Sequence, residues 1–340
     1  MMYKSAIRVI DINIGLISNQ EELVHCNEFL DAETQKKNPT IWSILTALPA
    51  PTRIPYEEKN LDAFFYMIDD PNVPPDVVCR GNTCTITGDF SAWEHVMADK
   101  RWNIYGNIGL FFAFCLVMLE EKARIHSMHA SALYNAEKDL LLVVAGSSGS
   151  GKTVLQLEAL LSRGYEVFTT EMTHFRVEEN GCTFFKGSVY DNIRVGNLIY
   201  DFPKAIDHFH VQVPEVEDKW ETYLPVNFEP WSTKAQTLHN PRTIFLFPRI
   251  ETGRKETVLH ANPGRAGFIK SMFENASEKI CKSQVMYNGY PCFGSFDRQN
   301  LAKQRLDDIV RLLDMEFVTD RIKLLAAPQD CWAWEKAIQQ

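Results

Sequence analysis

The sequence predicts an α/β fold: a domain built around a glycine-rich loop, preceded by a smaller mixed α+β region. Three observations predict it. Asp139 to Ala145, DLLLVVA, is a short unbroken apolar run, the signature of a strand buried on both faces. Gly146-Ser147-Ser148-Gly149-Ser150-Gly151-Lys152-Thr153 follows directly and meets G-x-x-x-x-G-K-[ST] at every fixed position. A helical pattern over Thr153 to Ser162 and a strand pattern over Tyr165 to Thr170 come next, so the loop joins a strand to a helix as an α/β unit requires.

The elements are expected in this order. Ser5 to Ile17 alternates loosely, as a strand does. Asn38 to Tyr56 carries four prolines and reads as loop and short turns. Asp69 to Asp76, DDPNVPPD, is the strongest loop signal in the chain. Val77 to Thr87 reads as a short hairpin turning near Gly81-Asn82. A helical stretch starts at Asp89 to Trp93, and Asn107 to Arg124 reads as a long, mostly buried helix. From residue 125 the pattern changes to α/β. Met128 to Tyr134 is a strand candidate, and later strands are expected at Thr183 to Lys186, His208 to Val213 and Thr243 to Pro248. Helices are expected at Gly264 to Glu274 and Leu301 to Leu313. The division is therefore 1–124, an accessory or acceptor-binding region, and 125–340, the loop-bearing domain.

Composition bounds the function classes. With 340 residues, 45% apolar and 23% charged, there is material for a substantial core and one or two domains. The net charge of −9 argues against a dedicated nucleic-acid binder, whose footprint is basic. The most apolar run, Leu110 to Leu119, is about half the length of a membrane span, so it reads as a core helix and no membrane partner is expected. The N-terminus, with an early Asp and no small-residue cleavage site, is a poor signal peptide. Eight cysteines without CxxC spacing suit reduced thiols in a cytoplasmic protein; Cys79 and Cys84 are the closest pair.

Each fixed position of the loop has a physical reason. The glycines permit a tight turn whose backbone N–H groups face inward and cradle phosphate oxygens, and a helix N-terminus behind them favours an anion. Residues Gly146, Ser147, Ser148, Gly149, Ser150, Gly151, Lys152 and Thr153 are thus expected to bind a nucleotide, with Lys152 on the β- and γ-phosphates and the Thr153 hydroxyl on Mg²⁺. The strand ending at Thr170 delivers Glu171 to the same crevice, where it is suited to hold Mg²⁺ or act as a base. Arg249, directly after a strand, is a candidate for a γ-phosphate or an acidic substrate. Arg194 and Arg254 are weaker ones. His208 and His210 alternate as on one strand face, without a carboxylate partner for a metal site.

From His129 to Phe175 the chain resembles the HPr kinase/phosphorylase family, whose nucleotide-binding fold is related to that of phosphoenolpyruvate carboxykinase. His129-Ala130-Ser131-Ala132 looks like that family's strand upstream of the loop, and Arg163-Gly164-Tyr165 like its helix-ending "RGY". The family's Asp-Asp pair falls on Thr170-Glu171. Thr243 to Arg249 resembles its late strand, and the resemblance extends loosely over roughly residues 105 to 315. It implies an HPr kinase-like P-loop fold, ATP and Mg²⁺ as cofactors, a role for His129 at a phosphate oxygen, and a homo-oligomer. Two departures matter. Thr170 stands where the family has its catalytic base and cannot accept a proton at neutral pH. The HPr-recognition signature is missing, which points to a small-molecule, amino-acid-like or peptide acceptor. The expected activity is therefore a kinase. A nucleotide-binding regulatory or scaffold protein is the alternative that Thr170 supports, and carboxykinase-like chemistry is a third.

Overall fold

The computed structural model describes residues 1–25, 52–90, 102–106, 109–281, 286–287, 290–291 and 295–338. The chain forms two compact units, Met1–His126 with Ser277–Lys303, and Ser127–Ala276 with Gln304–Gln340. Residues 277–303, expected in the second region, thus group with the first. The helices Arg265–Cys281 and Gln299–Leu313 each cross the division, and within the first unit Phe296 and Arg298 meet Phe114 and Glu121.

The first unit holds strands β1 (Tyr3–Val9), β2 (Ile12–Ser18), β3 (Thr52–Ile54), β4 (Ala63–Asp69), β5 (Asp76–Arg80) and β6 (Thr83–Gly88) in one sheet of order β3-β1-β2-β4-β6-β5. Helices α1 (Trp102–Tyr105) and α2 (Leu110–Ala123) follow. Strand β4 alternates as a half-buried strand does: Ala63, Phe65 and Met67 are buried, and Phe65 packs edge-on against Phe111 of α2 at 5.2 Å. Helix α2 is buried from Leu110 to Glu120, as its apolar run predicts. Its one buried acid, Glu120, meets buried His126 at 2.9 Å.

The second unit is centred on a six-stranded sheet of order β10-β8-β9-β16-β20-β17, made of β8 (Ala130–Asn135), β9 (Leu140–Ala145), β10 (Glu166–Thr169), β16 (Arg242–Ile250), β17 (Val258–Ala261) and β20 (Val318–Ala326); the intervening β18 (Met286–Tyr287) and β19 (Tyr290–Pro291) pair with each other in the first unit. Strands β9, β16 and β20 run parallel, and β8 is antiparallel to both β9 and β10. Strand β9 is buried on both faces. Leu142 and Val144 enter one core with helix α3 (Lys152–Ser162), while Leu141, Val143 and Ala145 enter the other. The second core is closed by β7 (His126–Met128), β11 (Thr173–Glu178), β12 (Gly181–Phe185) and β15 (Thr237–His239), which form a four-stranded sheet, and by α5 (Arg265–Cys281) and α6 (Gln299–Leu313). A two-stranded ribbon, β13 (Tyr190–Arg194) with β14 (Tyr223–Asn227), and the short helix α4 (Lys204–His208) complete the α3 side. Among the described residues no helix is long and apolar enough to cross a membrane.

Several expectations change. Ser5 to Ile17 is not one strand but a hairpin, because the chain reverses at Ile10, which has φ 53°. Met128 to Tyr134 divides at His129, where the chain leaves the four-stranded sheet and joins the six-stranded one. His208 to Val213 is not a strand: His208 ends α4 and packs on Trp231 at 5.8 Å, and His210 is left-handed at φ 53°. Thr52 to Ile54 is a short strand inside the proline-rich segment; 38–51 and 91–93 lie outside the described residues. The late helices run longer than expected, to Cys281 and from Gln299.

Because β9 packs on both sides, Leu142→Ala is expected to destabilise the protein by about 2–5 kcal/mol. A denaturant titration of the intact chain measures this. A loss below about 1 kcal/mol would contradict the two-sided packing.

Candidate functional site

Topology gathers the site at one edge of the six-stranded sheet. The β9 C-terminus runs into the loop at Gly146, and the parallel strand β16 ends at that edge with Arg249 and Ile250. Two antiparallel steps, β9 to β8 and β8 to β10, make β10 parallel to β9, so Thr170 and Glu171 emerge there too. His129 sits just before β8 at the same edge. Ligands of open α/β sheets bind at this carboxyl edge.

Two glycines of the loop take a backbone conformation that other residues rarely adopt. Gly149 has φ 77° and Gly151 φ 98°, both in the left-handed region. A side chain at Gly151 would also collide with Ile250, whose N–H donates to Ser150 O at 3.0 Å. Helix α3 begins at Lys152, which places its N-terminus behind the loop. The Ser150 hydroxyl is buried and has no hydrogen-bond partner among the described residues. Lys152 Nζ lies over the loop, donating to Gly146 O at 2.8 Å and Ser147 O at 3.3 Å.

Around this ammonium the structure brings together three of the expected residues and one unexpected one. His129, 4% exposed, has Nε2 3.2 Å from Lys152 Nζ and 3.6 Å from Glu171 Oε1. Its backbone carbonyl accepts from Asn275 Nδ2 at 3.0 Å and from Gly146 N at 3.4 Å, which ties the histidine to the loop. Thr153 Oγ1 donates to Asp191 Oδ2 at 3.2 Å. Asp191, on β13, is the residue that sequence reading missed. Its carboxyl is pushed up to about 7, by burial first and then by the negative charge of Glu171, against the opposing pull of Lys152 and the Thr153 hydrogen bond.

Thr170 explains how Asp191 comes to be there. Its N–H donates to Ser188 O at 2.8 Å, and its hydroxyl lies 3.1 Å from the same oxygen and within reach of Tyr190 O. Ser131 Oγ donates to Thr170 O at 2.6 Å. The threonine therefore fastens the segment leading into β13 onto the end of β10. The only sequence signal for Asp191 is an acid near the start of a short strand pattern, which no spacing rule singles out.

Arg249 reaches the correct edge but not the cluster. Its side chain is 76% exposed and donates to Glu251 at 2.6 Å, while Arg254 holds the other Glu251 oxygen at 2.9 Å. These two arginines hold the Glu251 carboxyl below its usual range. Arg194 lies over Tyr223 at 5.2 Å. His174, fully buried, pairs with Ser127 at 2.7 Å, and burial lowers it to about 3, so it stays neutral and structural.

Among the described residues no group of three or more His, Cys, Asp and Glu is arranged to hold a metal by itself. The oxygens of Thr153, Asp191 and Glu171 instead suit a hard cation such as Mg²⁺, which takes one or two carboxylates and completes its shell with phosphate and water. Two neighbouring carboxylates repel a polyanion unless a divalent cation lies between them. The sequence matches no family model and no curated protein, so the site is read from its own geometry.

Asp191 gives a pH signature. A carboxyl raised in the folded state binds its proton more tightly there than in the unfolded chain, so stability falls as pH rises from about 4 to about 7. Asp191→Asn removes this component. Without added divalent cation, the melting temperature of Asp191→Asn relative to wild type is expected to rise between pH 5 and pH 8. A difference that stays flat would mean the carboxyl is not raised.

Proposed function

We propose that this chain is an ATP- and Mg²⁺-dependent phosphotransferase, related to the HPr kinase/phosphorylase family by the segment it resembles, with a small-molecule, amino-acid-like or peptide acceptor. One observation carries the reading: Lys152, Thr153, Glu171 and Asp191 meet at the loop and helix N-terminus that follow a doubly buried strand. Loop amides and the α3 N-terminus bind phosphate oxygens, and Lys152 stabilises charge on the transferring group. Thr153, Asp191 and Glu171 are the residues that would hold Mg²⁺, which when bound neutralises charge on the β- and γ-phosphates. His129 is kept against Lys152 and Glu171 and donates to a phosphate oxygen or to the carboxylate, whichever faces it.

The base that Thr170 cannot supply is a smaller loss than it first looks. Phosphoryl transfer passes through a loose transition state, so positioning and charge neutralisation dominate. Asp191 restores a second carboxylate to the site from a different strand, which favours catalysis over a purely regulatory role.

Two variants test the proposal in nucleotide binding and in ADP release with candidate acceptors. Lys152→Ala is expected to weaken nucleotide binding at least about tenfold and abolish transfer. Glu171→Gln is expected to lower the rate by about two orders of magnitude or more while the protein still binds nucleotide. Full activity of Lys152→Ala would remove the loop assignment. Tight nucleotide binding by wild type without turnover on any acceptor would favour the regulatory reading.

A further inference from the structure

A thiol pair in the first unit takes no part in the proposed chemistry. Cys79 on β5 and Cys84 on β6 face each other directly across the hairpin. Gly81 opens the two-residue loop with φ 58°, the left-handed conformation that such a loop requires at its first position. The rung next to the loop is Arg80 with Thr83, and the cysteines form the next one out. Rungs alternate in an antiparallel pair, so this one is of the non-hydrogen-bonded kind, with Cα atoms about 4.5 Å apart and side chains at their closest. That separation lies at the short end of the range that disulfides span.

The side chains use this proximity. The two Sγ atoms lie 2.6 Å apart. Cys79 is exposed and Cys84 is buried behind it. The contact with Cys79, and then burial, hold the Cys84 thiol far above the ordinary range, so Cys79 is the outward nucleophile of the two. Other described thiols lack this arrangement: Cys115, Cys182 and Cys331 are buried, and half-buried Cys281 has the Asp297 carboxylate 3.4 Å away.

We propose that Cys79 and Cys84 form a thiol–disulfide exchange site, which reduces a low-molecular-weight disulfide of the glutathione type and itself closes to a cross-strand disulfide. Cys79 sulfur attacks one sulfur of the small disulfide, whose S–S bond breaks. One small thiol leaves with the proton that Cys79 gave up. Cys84 sulfur then attacks Cys79 Sγ of the mixed disulfide, and the second small thiol leaves with the Cys84 proton. Two electrons and two protons pass to the small molecule, and no other oxidant enters. The product fastens β5, the edge strand of its sheet, to β6.

The experiment uses the intact protein. It is incubated natively with oxidised glutathione, its remaining thiols are alkylated, and it is digested with trypsin without reductant. Trypsin cuts after Arg80, between the two cysteines, so a disulfide leaves two peptides joined. The expected product is that joined species, about 2 Da lighter than the two thiol peptides together and separated by dithiothreitol. Cys84→Ser is expected to stop at a glutathione adduct on Cys79, and Cys79→Ser to leave Cys84 unmodified. Recovery of both cysteines alkylated, or a lasting glutathione adduct on wild-type Cys79, would overturn the proposal. The wild-type result decides alone if either variant does not fold.

Discussion

Strand β9 has no solvent-facing side, and the rest of the second unit follows from that constraint. Its residues alternate between two cores, so a helix must cover one face and further sheet and helices the other. Neither its direction nor its register is free to slip, because a one-residue shift would exchange the two cores. A loop leaving the end of such a strand starts from a fixed point. The glycine-rich loop is placed by Leu141 to Ala145 as much as by its own glycines, and the close approach of Gly151 to Ile250 on the neighbouring parallel strand fixes the loop's other end.

The site is also an electrostatic compromise. Burial disfavours the Asp191 charge, and the neighbouring Glu171 carboxylate disfavours it further. Lys152 and the Thr153 hydroxyl offset part of this, and His129 lies against both Lys152 and Glu171. A proton on Asp191 relieves this repulsion, which ties the charge of the cluster to pH near neutrality.

The departure at Thr170 has a structural consequence rather than a merely negative one. A carboxylate at 170 would face the backbone carbonyls of Ser188 and Tyr190, with which an anion cannot hydrogen-bond. Threonine can donate there, and by doing so it secures the segment that brings Asp191 to Thr153. A hydroxyl donor at 170 and an acid at 191 on another strand are thus parts of the same local arrangement.

The sequence by itself determined the local pieces. LLLVVA declares a doubly buried strand because no polar residue interrupts it, GSSGSGKT declares a loop because its glycines permit left-handed backbone, and LFFAFCLVML declares a core helix because it is too short for a membrane and too apolar for a surface. Those signals are near in sequence, and near-neighbour physics is enough to read them. The tertiary structure alone decided what is distant. Asp191 meets Thr153 across 38 residues through a ribbon with no strong pattern of its own. Arg249 arrives at the right edge but is taken by Glu251. His208 becomes a helix end once aromatic packing on Trp231 outweighs a weak strand alternation. For Asp191 and His208 the deciding contact is distant in sequence, and for Arg249 it is a partner two residues on that only the folded backbone selects.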